Sequence, residues 1–257
     1  MRDQIIRALS SMVGATFLMS SAAAAATCVG ACGTLGATGV VTTSPQGGTY
    51  DYVTTDEGDF GVGQIDGVGG TNGSSYTSTA FEAATGDLLE FYFNYVTSDG
   101  AGYSDYGWAE LVDSASAHVA WLFTGRTQPT GDTSPGFGLP TNDSTLIPSS
   151  SEIVAGAPIW SPLGSDSDRC YADGCGYTGW IKSEYTIAAA GTYSLVFGVT
   201  NFADTDYASG LAFDGASVGG VIIDPDGPSP VPLPASALML GAGLMGLGAL
   251  RRRRGAR

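Results

Sequence analysis

Hydrophobic and polar residues alternate with a period of two along several stretches of this 257-residue chain, the pattern left by strands with one buried face. Between Asp87 and Val96, Leu89, Phe91, Phe93 and Tyr95 fall on one face and Leu88, Glu90, Tyr92 and Asn94 on the other. Gly191–Thr200 is the clearest strand, with Tyr193, Leu195, Phe197 and Val199 on one side. Tyr106–Val112 and His118–Thr124, joined by Asp113-Ser114-Ala115-Ser116, predict a hairpin. Tyr50–Thr54, Phe60–Ile65 and Ser75–Phe81 are shorter candidates, and Gly179–Ile187, Gly210–Phe213 and Ala216–Ile223 complete the set. About ten strands without a helix predict an all-β domain over 27–223, a single jelly-roll-like β-sandwich. No repeat of fixed period runs through it, which argues against a solenoid.

The stretch 128–162 interrupts the pattern. It holds Pro129, Pro135, Pro140, Pro148, Pro158 and Pro162 and little alternation. Long insertions of this kind are either functional or loosely ordered excursions, and both readings stay open here.

Composition agrees with a β domain. Glycine stands at 39 residues and aromatics at 10%, enough apolar surface for a core and many turn formers. The net charge of −15 understates the acidity of the folded part. Only Arg126, Arg169 and Lys182 are basic between Thr27 and Leu250, which leaves that region at −21. Such a surface repels phosphate backbones and excludes nucleic acid as a partner. It attracts cations instead.

Both ends carry targeting patterns. Arg2 and Arg7 precede an apolar stretch from Ala8 to Met19, and Ala24-Ala25-Ala26 before Thr27 fits an A-x-A cleavage site. Residues 1–26 therefore read as a signal peptide cut between Ala26 and Thr27. Residues 224–230 form a Pro-rich linker, Asp224-Pro225-Asp226-Gly227-Pro228-Ser229-Pro230. Val231, Pro232, Leu233, Pro234 and Ala235 follow, then an apolar run to Leu250, then Arg251, Arg252, Arg253 and Arg254. Residues 235–250 predict a C-terminal transmembrane helix of roughly 24 Å, slightly short of the ~30 Å hydrocarbon core. The arginine cluster holds the 251–257 end in the cytoplasm, and the signal peptide puts the domain on the other side.

This order of Pro-containing motif, apolar helix and basic cluster over 231–257 resembles the PEP-CTERM family of bacterial sorting signals, in its VPLPA variant. The resemblance implies an exosortase-type membrane transpeptidase as partner and cleavage near Val231–Ala235. It implies passage from a transient membrane anchor, through the C-terminal helix, to the cell surface or medium. It also implies an association with exopolysaccharide.

Four cysteines in an exported chain favour disulfides over zinc. Local pairs, Cys28 with Cys32 and Cys170 with Cys175, are preferred; cross-pairing of the N-terminus to the later loop stays open. The only histidine, His118, has no ligand spacing to them.

The carboxylates cluster at two strand exits. Asp99 and Asp105 follow the aromatic strand, and Asp204, Asp206 and Asp214 follow the clearest one. In a sandwich such exits can meet at one end, where hard oxygens suit calcium. The two loops resemble those of extracellular β-sandwich domains that stand upstream of surface-anchor tails. An EF-hand is excluded, because its glycine and terminal glutamate are missing at the required offsets.

Enzymatic readings are weaker. A Ser-His-Asp site would have to use His118, and no nucleophile elbow is present. Glu82, Glu90, Glu110 and Glu184 satisfy only the minimal need of a glycosidase for two carboxylates. Phosphate loops and dinucleotide fingerprints are missing, which implies no organic cofactor. The sequence therefore predicts a non-enzymatic structural or binding module, with a carbohydrate-binding or carbohydrate-active protein as the alternative. Tyr103, Tyr106, Trp108, Trp160, Tyr177 and Trp180 are the aromatics for stacking on sugar rings, against a plain core role for Trp180 with Tyr177 covering it.

Overall fold

The structure is a computed structural model that describes residues 25–128, 131–149 and 151–223. The signal peptide to residue 24, the linker and the whole sorting tail lie outside the described residues. Sixteen strands are described. They begin with β1 (Thr27–Val29), β2 (Ala31–Leu35), β3 (Tyr50–Thr54), β4 (Asp59–Phe60), β5 (Asn72–Thr77) and β6 (Phe81–Ala83). The long strands follow: β7 (Leu88–Thr97), β8 (Tyr106–Asp113) and β9 (His118–Arg126). Short β10 (Thr145–Ile147), β11 (Val154–Ala155) and β12 (Gly176–Tyr177) precede β13 (Ile181–Thr186), β14 (Gly191–Thr200), β15 (Ser209–Val218) and β16 (Val221–Ile222).

The architecture is an all-β sandwich of two antiparallel sheets. One runs β1-β5-β14-β8-β9, with β4 on β5 and β6 on β14. The other runs β10-β13-β7-β15-β3-β2, with β12 on β7, β11 on β12 and β16 on β15. Apart from the β8–β9 hairpin, successive long strands alternate between the sheets.

The period-two pattern places the core where expected. Leu89, Phe91, Phe93 and Tyr95 of β7 are buried, as are Tyr193, Leu195, Phe197 and Val199 of β14. Their rings interdigitate between sheets, which fixes how the two layers sit. Phe197 stacks on Phe213 of β15 at 3.8 Å and 3°, and Phe91 meets Phe197 edge-on at 5.3 Å. Phe93 lies 3.9 Å from Phe123 of β9.

Two smaller clusters lie on the outer faces. Val41, Tyr50, Val96, Trp160, Leu163, Ala208 and Ala212 cover the sheet that holds β7. Ile65, Tyr106 and Trp108 do the same for the sheet that holds β14. The first cluster explains why Asn94, on the outward face of β7, is nevertheless buried.

Some boundaries differ from the sequence expectation. Phe60–Ile65 is a strand only at Phe60; Gly61 and Gly63 turn through φ of 78° and 71°. A Cβ at Gly63 would stand 2.1 Å from the Val199 carbonyl oxygen, so the turn is laid directly on β14. Gly210–Phe213 and the first part of Ala216–Ile223 are one strand, β15, whose register shifts between Asp214 and Ser217. Gly215, at φ 68°, makes that bulge. The 128–162 stretch carries β10 and β11 and runs at its end into a 3₁₀ segment, Ser161–Asp166, seated on the outer cluster through Leu163.

Candidate functional site

The antiparallel registers Thr97↔Ser209, Tyr106↔Thr200 and Tyr106↔Arg126 bring the exits of β7, β9 and β14 to one end of the sandwich. The 98–105, 127–180 and 201–208 loops meet there. Backbone bonds lock them together: Ser98 N–H donates to Ala208 O at 3.1 Å, Tyr171 N–H to Ser98 O at 3.0 Å, and Ala101 N–H to Asp173 O at 2.9 Å. The two predicted acidic exits therefore do share one end.

Asp105 is fully buried at the base of this assembly. The Ser209 hydroxyl donates to its carboxylate at 2.6 Å, and the Phe202 N–H does so at 2.9 Å. Burial pushes its carboxyl well above the ordinary range, and the Asp99 charge adds to this. Asp99 is also buried. One of its oxygens accepts from the Gly100 N–H at 2.6 Å, and the other has no partner among the described residues. Burial raises its pKa to about 7 against that hydrogen bond, with further repulsion from Asp204 and Asp206.

Asp204 and Asp206 sit in the 201–208 loop, where the Asp204 carboxylate accepts the Asp206 N–H at 3.1 Å. Asp214 is not part of this group. It lies farther along β15, opposite Tyr92, with one oxygen unpartnered among the described residues. Among the described residues no group of three or more His, Cys, Asp and Glu side chains is placed to hold a metal ion.

Of the six aromatics singled out by sequence, only Tyr103 stands exposed. Tyr106, Trp108 and Trp160 are buried. Tyr177 and Trp180 pack against the outer cluster, and the Trp180 indole N–H donates to Thr42 O at 3.0 Å. Tyr103 is joined by two tyrosines that the sequence did not single out. Its ring meets Tyr171 edge-on at 5.5 Å, and Tyr171 meets Tyr207 at 5.0 Å and 54°. The Arg169 guanidinium lies 4.9 Å over the Tyr207 ring and is held by Asp166 at 2.7 Å. The available signal was position: Tyr171 lies inside the Cys170–Cys175 loop, and Tyr207 directly follows Asp206.

No protein-family model and no curated protein matches the chain. Among solved structures, it is similar to the K1 cleaved adhesin domain of Lys-gingipain from Porphyromonas gingivalis W83. The identity is 12%, over 75% of this chain and 89% of that one, with a TM-score of 0.35. That score is too low for the likeness to define the function of this chain.

The cysteines form two local disulfides, Cys28–Cys32 and Cys170–Cys175, with Cα atoms 6.2 and 5.6 Å apart. The cross-paired alternative is not adopted. The second bridge closes the loop that carries Tyr171, so it shapes the exposed strip directly.

Each of the four glutamates is already bonded to a neighbouring side chain. Glu90 and Glu184 both pair with Lys182 on the outer surface, and these bonds hold the Lys182 ammonium above its usual range. Glu82 accepts from Thr192 at 2.6 Å. Glu110 contacts His118 at 2.6 Å.

Proposed function

We propose that this chain is an exported cell-surface or extracellular-matrix protein whose sandwich acts as a non-enzymatic structural or binding module. An exosortase-type transpeptidase would process its tail near Val231–Ala235, ending a transient membrane anchorage through the C-terminal helix. The observation that carries this reading is the closure of both cysteine pairs as disulfides, with no free cysteine among the described residues. Such bridges persist in oxidising compartments, as the signal peptide and tail pattern in the sequence require. The strand order, which we read as that of a jelly roll, supports a display role by gathering long loops at one end. The commitment of Glu90 and Glu184 to Lys182 supports a non-enzymatic reading.

The test is expression of the full chain in a bacterial host with and without its exosortase, followed by intact-mass measurement of the surface and medium fractions. The expected mass lacks residues 1–26 and the Arg251–Arg254 cluster only where the exosortase is present. A chain that keeps its arginines in both hosts would overturn the sorting reading. Reducing sugar released from exopolysaccharide by the purified chain would overturn the non-enzymatic one.

A further inference from the structure

We infer that the Tyr103–Tyr171–Tyr207 strip, exposed at Tyr103 and Tyr171 and half-buried at Tyr207, is a binding site for a soluble, uncharged polysaccharide. This rests on the reading of the domain as an extracellular module and names the ligand class that the module takes.

Exposed aromatic side chains are costly to hydrate, and two in contact on one rim, with the half-buried Tyr207 packed on the second, are unusual for a surface with no partner. Tyr103 is 40% exposed and Tyr171 48%. The successive ring spacings of 5.5 and 5.0 Å are comparable to the length of one pyranose unit. The borders of the strip are polar. Arg169 offers guanidinium N–H donors over Tyr207, while Asp206 is exposed beside it and Asp204 half-buried. Apolar ring faces edged by donors and acceptors match a sugar, whose C–H faces stack while its hydroxyls bond laterally.

The support beneath the rings is rigid. Besides the loop-to-loop backbone bonds, Asp166 ties Arg169 to the strip and accepts the Ala208 N–H at 3.0 Å. Tyr207 sits at φ 58°, a left-handed conformation unusual for a bulky residue. Its ring is therefore held in place by the surrounding contacts against local preference. The disulfide loop that carries Tyr171 also walls a groove of about 570 Å³, with Glu152 and Asp173 on its lining. An adjoining groove gives a chain somewhere to continue.

Charge and shape narrow the ligand further. With −21 between Thr27 and Leu250, the surface repels uronate- or sulfate-bearing polymers. The rings are inclined at 80° and 54° to one another, so they do not form a flat platform. A faceted strip suits a single solvated chain that twists, not the plane of a crystalline polysaccharide.

The probes are dextran, mannan and a soluble β-glucan, with alginate and microcrystalline cellulose for comparison. Retardation of the purified full chain is measured in affinity electrophoresis and by pull-down. At least one neutral soluble polymer is expected to bind, and alginate and cellulose are not. Tyr171→Ala should weaken that binding about tenfold, the loss of one stacked ring, whereas Tyr171→Phe should keep it. Tyr207→Gly removes a ring while suiting the left-handed backbone, so it reports on binding even if Tyr207→Ala fails to fold. Phe60→Ala, an 81% exposed residue outside the strip, is the control and should change nothing. No binding to any neutral polymer, tighter binding to alginate, or binding unaltered by Tyr171→Ala and Tyr207→Gly would each overturn the inference. Failure here leaves tail processing as an independent readout, so the sorting reading stands or falls separately.

Discussion

The indole N–H of Trp160 donates to the hydroxyl of Tyr50 at 2.9 Å, joining residues 110 apart in sequence, both fully buried. This bond fastens the insertion between β9 and β13 to the outer face of β3. Trp160 also meets Tyr52 edge-on at 5.8 Å, and a Cβ at Gly210 would approach its ring to 2.5 Å. The insertion thus supplies the anchor of a second core.

Removal of either partner leaves a buried polar group unpaired, which costs about 1–3 kcal/mol. Trp160→Phe and Tyr50→Phe are each expected to destabilise by that order, and the double variant by less than their sum. Urea unfolding of the four proteins gives the coupling energy, expected at about 1 kcal/mol. Strict additivity would mean that the bond contributes nothing.

Asp99 and Asp105 make stability fall as pH rises. Both carboxyls have folded-state pKa values above those of the unfolded chain, so the folded state binds more protons. Their contribution is fully present below the unfolded carboxyl pKa of ~3.9 and is lost as pH climbs through the folded values, about 7 for Asp99. The groups facing Asp99 are Asp204, Asp206, Asp105 and the Tyr171 phenol, none of them a cation. The melting temperature should therefore be lower at pH 8 than at pH 5. Asp99→Asn keeps an acceptor for the Gly100 N–H and removes the charge, so it should reduce that difference and raise the midpoint at pH 8. An unchanged pH profile in Asp99→Asn would show that this carboxyl does not carry the effect.

The core was legible because alternation is a local property: Leu89, Phe91, Phe93 and Tyr95 reveal their shared face without any knowledge of partners. The meeting of the Asp99–Asp105 and Asp204–Asp206 loops was also legible, since both follow strands of a sandwich. Tyr171 and Tyr207 were not. Each is a single aromatic in an irregular loop, and what unites them is loop-to-loop hydrogen bonding across long sequence separations. Trp160, in the Pro-rich stretch, looks equally loop-like in sequence yet is buried, because an outer cluster covers the sheet beneath it. Asp214 follows the same strand exit as Asp206, but β15 begins at Ser209 and carries it away from the loop end.

The Cys170–Cys175 bridge closes a short loop, so in the chain-entropy model its removal costs roughly 2 kcal/mol. Replacement of both cysteines by serine should lower the midpoint accordingly while leaving the two-sheet core folded, as judged by far-UV circular dichroism. Because Tyr171 sits inside that loop, the variant should lose polysaccharide binding more completely than stability. Equal binding in the bridged and unbridged proteins would show that the hydrogen bonds from Tyr171 to Ser98 and from Ala101 to Asp173 suffice to place the ring.

Gly198 lies in the middle of β14, where an interior glycine normally weakens a strand by roughly 0.5–1 kcal/mol relative to alanine. On propensity alone, Gly198→Ala should stabilise. Packing opposes this, because a Cβ there would stand 2.3 Å from the indole of Trp108 on the neighbouring strand. That indole is buried against Ile65 and Tyr106, meets Trp121 edge-on at 5.8 Å, and donates its N–H to Gly63 O at 2.8 Å. A shift large enough to admit a methyl group breaks the bond to Gly63 and lifts the turn that rests on β14. Overpacking of this kind costs about 1–3 kcal/mol, more than the propensity gain. Gly198→Ala is therefore expected to lower the melting temperature and to alter tryptophan emission, while Gly198→Ala combined with Trp108→Leu should recover part of the loss by making room. A higher melting temperature for Gly198→Ala alone would mean that Trp108 is free to move, and that the outer cluster over β14 is looser than its contacts imply.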